Sequence, residues 1–145
     1  DAVDGGSVIN SFPKKFVTLV ADGTIAKNQW VAIDTATDNG LGSTVVVADT
    51  GTTGHDSLIF GIATEAATDG DEVKIQTAGK YDTASVQDDT AYGDALIASG
   101  TAGQATQADT LSAASASYAY VICGVALEED TANLAAVMIT DQGYF

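Results

Sequence analysis

The chain has 145 residues, 46% of them hydrophobic, which suits one domain whose core needs neither a disulfide nor a metal. Twenty acidic residues stand against five lysines, with no arginine, for a net charge of −15. Such a surface repels nucleic acid and anionic membranes and has no guanidinium fork for phosphate, so neither is expected as a partner.

Residues 1–15 read as an N-terminal arm ahead of a single β-module over 16–145. The arm is electrically balanced, with Asp1 and Asp4 against Lys14 and Lys15. Gly5-Gly6-Ser7 and Pro13 suit extended chain, while Val8, Ile9 and Phe12 are apolar anchors. Two readings stay open: docking of the arm on a partner, or an edge strand closing over its own domain. The polar, acidic start does not look like a signal peptide.

Strand signals follow. Phe16–Val20 and Gln29–Ile33 are short and rich in β-branched or aromatic residues. Ser43–Ala48, Leu58–Ala63 and Tyr118–Leu127 are apolar on both faces, as in strands covered from two sides. Asp71–Thr77 alternates, with Val73, Ile75 and Thr77 on one face and Lys74 and Gln76 on the other. Asp22-Gly23, Asn39-Gly40, Gly51–Gly54, Asp69-Gly70-Asp71 and Gly100–Gly103 supply turns. Many short strands separated by turns predict an all-β barrel or sandwich. Helix candidates are confined to Leu111–Ala116 and a turn near Glu128–Asn133.

An internal repeat organises these elements. Gly61-Ile62-Ala63-Thr64-Glu65 returns 63 residues later as Gly124-Val125-Ala126-Leu127-Glu128. Asp22-Gly23-Thr24 and Trp30-Val31-Ala32 match Asp88-Asp89-Thr90 and Leu96-Ile97-Ala98 at an offset of 66, and Ala48-Asp49-Thr50 matches Ala108-Asp109-Thr110 at 60. The expected halves are 16–81 and 82–144. Each is too small for a good core, so they should pack as one domain.

The candidate chemistry fails on inspection. His55 sits in Gly54-His55-Asp56-Ser57, but sequence neighbours do not converge as a catalytic triad does. Cys123 lies in an apolar strand with nothing electropositive nearby to lower its pKa. One cysteine and one histidine cannot build a zinc site. Asp34–Gly40 resembles the start of a calcium loop but has Ala36 at the third position and Val45 where the bidentate glutamate belongs. Asp69–Glu72 and Glu128–Asp130 are dense in oxygen ligands and read as solvated turns. No phosphate loop is present. The expectation is a protein with no catalytic residues, no cofactor and no metal. Tyr118 and Tyr120 share a strand face and read either as core edges or as an interface patch.

The stretch from Phe60-Gly61-Ile62-Ala63 through the turn at Thr68-Asp69-Gly70 to Lys74-Ile75-Gln76-Thr77-Ala78-Gly79-Lys80-Tyr81, preceded by Trp30-Val31-Ala32-Ile33-Asp34, resembles the central element of tailed-phage head decoration, or cement, proteins. The resemblance implies a β-barrel or tulip-like module on the outer capsid surface of the virion. It would form a homotrimer at local three-fold positions and clamp neighbouring major capsid protein subunits. Partners would then be the major capsid protein and other copies of this chain, through Val8, Ile9, Phe12, Lys14, Lys15, Tyr118 and Tyr120. The rival is a subunit of an extracellular filament or surface layer, joined by strand donation from the arm. A carbohydrate-binding or hydrolytic domain is a third, weaker reading, since arginine is absent and tryptophan scarce.

Overall fold

The structure is a computed structural model that describes residues 13–34, 43–50, 58–108 and 121–140. In these residues the chain forms strands and turns and no α-helix. The strands are β1 (Lys15–Ala21), β2 (Trp30–Ile33), β3 (Thr44–Val47), β4 (Ile59–Ala63), β5 (Glu72–Ser85), β6 (Ala95–Ala98), β7 (Ala105–Gln107), β8 (Gly124–Ala126) and β9 (Leu134–Ile139).

Valine, leucine, isoleucine and phenylalanine in β1 to β4 favour extended backbone and supply an inward face. The order is β1-β3-β2-β4-β5, and β5 pairs back onto β1, closing a five-stranded barrel. β1 runs parallel to β3, and the other pairings are antiparallel. Closure leaves the barrel without an edge strand. Val31, Val45, Ala63, Val73 and Ile75 fill it, with Ile25 and Ala67 plugging one end.

The long strand β5 belongs to both halves. Its residues through Ala78 pair with β1, and from Gly79 onward they pair with β9. The sheet then continues β9-β8-β6-β7, and a parallel bridge between Val86 and Ala105 brings the end of β5 back to β7. Gly79, at φ 92, makes the kink at the changeover. Gln76 staples it, because its buried amide donates to the carbonyls of Ala78 (3.0 Å) and Lys80 (2.9 Å).

A second core joins the halves. Trp30, Ala32, Val46 and Ile62 lie on the outside of the barrel, and they pack with Leu96, Ala126, Ala135 and Val137 of the second sheet. The Trp30 Nε1–H donates to the Ser85 carbonyl at 3.0 Å, and the ring tip lies 3.1 Å from where a Cβ on Gly124 would sit. Ser85 N–H donates to the Asn28 carbonyl at 3.0 Å, and the Tyr81 hydroxyl donates to Asn28 Oδ1 at 2.7 Å. Burial raises the pKa of that hydroxyl.

Several expectations need correction. Gln76 shares a face with Lys74 as expected, but it is buried, its amide turned back onto the Ala78 and Lys80 carbonyls, while Lys74 stays exposed. Lys15, assigned to the arm, is the first residue of β1. Of Tyr118–Leu127 only Gly124–Ala126 is strand among the described residues. Glu128–Asn133 forms bends and a turn with Ala132 and Asn133 left-handed, not a helix. The candidate helix Leu111–Ala116 lies outside the described residues.

Candidate partner-binding surface

The acidic turns are occupied by their own backbone. Asp69 accepts from Gly23 N–H at 3.0 Å. Asp71 accepts the Thr68 hydroxyl at 2.6 Å and its N–H at 3.3 Å, and these two bonds hold its carboxyl below the ordinary range. Glu65 accepts from Lys74 N–H at 3.3 Å and Glu128 from Ala136 N–H at 2.9 Å. Asp34, the first residue of the calcium-like loop, is buried and accepts the Thr44 hydroxyl at 3.0 Å. Among the described residues no group of three or more His, Cys, Asp or Glu is placed to hold a metal.

Cys123 is buried, its thiol donates to the Leu96 carbonyl at 3.4 Å, and burial pushes its pKa far up. That thiol is inert. A shallow, open depression of about 280 Å³ is lined by Ile25, Ala26, Ala66, Ala67, Thr68 and Asp71. Its one ionisable group is the Asp71 carboxylate already engaged by Thr68.

What the surface does carry is an uneven distribution of charge. Lys15 pairs with Ala78 and Phe16 with Gln76, and Lys74 lies across from Thr18. Lys14 packs against Gly79, so that a methyl there would lie 3.0 Å from its Cγ. Lys80 follows immediately and makes an exposed ion pair with Asp82 at 3.6 Å. The Lys74 ammonium sits 4.4 Å from the centre of the Phe16 ring, which is 47% exposed. Residues 13–18 and 74–80 thus hold four of the five lysines and no acid. Glu72 and Asp82 bound this strip at its two ends.

Of the residues singled out in the sequence, Lys14 and Lys15 fall on this surface, both exposed. Val8, Ile9, Phe12, Tyr118, Tyr120 and His55 lie outside the described residues. Sequence reasoning missed Phe16, Lys74 and Lys80 as companions of Lys14 and Lys15. Lys74 was legible as an outward residue of an alternating strand, but only the β1–β5 register brings it beside Phe16.

The second sheet has a different outer face. The row Lys80–Met138–Val125–Ala95 runs across four strands, with Val125 exposed and Met138 and Ala95 half-buried. Ile122 and Tyr92 are also exposed apolar or aromatic residues of this half.

No family model matches the sequence, and no curated protein matches it significantly. Among solved structures, the chain is similar in fold to the N base of the head fiber gp8.5 in bacteriophage phi29. The TM-score is 0.52 at 16% identity, covering 89% of this chain and 96% of that one.

Proposed function

We propose that this chain is a non-enzymatic structural protein of a phage virion that sits on the outside of the head and cements it by bridging neighbouring major capsid subunits. The observation that carries the reading is the fold shared with a phage head fiber base along nearly the full length of both chains. The physical character of the molecule agrees. The barrel and the second sheet share one core cluster, and cementing needs buried area and shape rather than titratable groups. Its partners in this reading are the major capsid protein and other copies of itself, arranged as a homotrimer. Pelleting the protein with bare capsids tests the reading: saturable co-sedimentation supports it, and protein left in the supernatant at every concentration rejects it.

We also propose that the halves arose by tandem duplication, which would present two similar β-units side by side. Val31 faces Gly61 across β2 and β4, and Leu96 faces Gly124 across β6 and β8. A methyl on Gly61 would lie 2.5 Å from the Gln76 carbonyl oxygen, and one on Gly124 would lie 2.8 Å from that of Met138. Glu65 and Glu128 cap the strands that follow them in the same manner. These rungs relate Val31 to Leu96 at an offset of 65, one less than the sequence match suggests.

The filament reading is less well supported. Strand donation needs an open sheet edge; the five-stranded barrel is closed, which leaves the three-residue β7 as the terminal strand of the second sheet among the described residues.

A further inference from the structure

We infer that the β1–β5 ladder is a docking surface for an acidic protein segment, with Phe16 and the Lys74 ammonium over its ring at the centre and the exposed Lys14 and Lys15 beside them in sequence. The inference deepens the proposed function and rests on it only for where the acidic segment resides, namely on the capsid. A chain of net charge −15 repels acidic partners over most of its surface. Residues 13–18 and 74–78, brought together by β1–β5 pairing, carry the charges of Lys14, Lys15 and Lys74 and no acid, while Lys80, just past Gly79, is paired with Asp82. Glu72 stands at one end of β5's pairing with β1 and the Lys80-paired Asp82 beyond the other, so a carboxylate is favoured at the middle of the ladder, by Lys14, Lys15 and Lys74.

Phe16 supplies the rest. An aromatic side chain left 47% exposed on a strand, with a lysine ammonium 4.4 Å from its ring centre, is the apolar centre and polar rim of an interface in miniature. The fifth lysine, Lys27, lies in the turn before β2, outside the ladder, and serves as an internal control. Nucleic acid fits the strip poorly, since no arginine is present to grip phosphate and the rest of the surface repels it.

The test uses the full chain with two ligands, a decaglutamate peptide followed by NMR and bare capsids followed by pelleting. The peptide should shift the amide resonances of Phe16, Thr18 and Lys74. A Lys14→Glu, Lys15→Glu, Lys74→Glu triple variant should weaken binding by about tenfold or more, while Lys27→Glu changes it by less than about twofold. Phe16→Ser should weaken peptide binding with the melting temperature nearly unchanged, because the ring is half in solvent. Peptide shifts mapping elsewhere, equal loss in the Lys27→Glu variant, or preferential binding of duplex DNA would each overturn the inference. Capsid binding that survives the triple variant sinks this surface and leaves the proposed function standing. A wild-type protein that takes up the peptide on Phe16 but ignores capsids sinks the proposed function and leaves the surface standing.

Discussion

Asp71 shows how a carboxylate in this chain is committed to holding a turn. Its oxygen takes both the hydroxyl and the N–H of Thr68, and each bond favours the ionised form, so its pKa falls below 3.8. A depressed carboxylate contributes stability above its unfolded pKa and loses that contribution as the pH falls through the folded value. The turn before β5 should therefore hold at neutral pH and loosen only in acid below the ordinary aspartate range. An NMR titration is expected to place the Asp71 midpoint under 3.8, and Thr68→Val should move it back up. A midpoint that stays put in the variant would show that the hydroxyl contributes nothing.

At the scale of elements, β5 and Trp30 make the two halves one folding unit. Trp30 is a β2 residue on the outside of the first barrel, yet it is fully buried among residues of the second sheet. Trp30→Ala should cost about 3–5 kcal/mol in a urea melt, because the cavity opens in the core shared by the halves. Trp30→Phe should cost less, having lost chiefly the bond to the Ser85 carbonyl. A Trp30→Ala variant as stable as the parent would contradict the joint core.

The strands β1 to β4 are legible in the sequence because valine, isoleucine and aromatic residues mark them. β6, β7 and β9 are not, since Ala95-Leu96-Ile97-Ala98, Ala105-Thr106-Gln107 and Leu134-Ala135-Ala136 are rich in alanine, whose strand propensity is low. The extension of β5 beyond Thr77 is hidden for a similar reason, as Ala78-Gly79 reads as an ending. Gln76 is misread because local alternation marks a polar face but says nothing of the kink beyond it, whose carbonyls take up the amide. Gly-Ile/Val-Ala-x-Glu occurs twice in the sequence, and at both places the glycine is pressed on a neighbouring carbonyl and the glutamate accepts from a strand N–H.

For the whole molecule, the features that matter are a core shared by barrel and second sheet, an acidic composition and one basic strip. The strip was half legible: Lys14 and Lys15 stand together in sequence, whereas Lys74 lies about sixty residues away and joins them only through β1–β5 pairing. A body with its barrel edges closed should bind through side chains rather than by adding strands. The central claim is that this body seats on the outside of a phage head. Cryo-electron microscopy of capsids incubated with the protein tests it most directly. The account predicts added density on the outer capsid surface, bridging adjacent major capsid subunits at repeated symmetric positions, with the β1–β5 ladder turned toward an acidic patch of the shell. Capsids that remain bare at saturating protein, or protein that instead assembles by itself into open helical filaments, would contradict it.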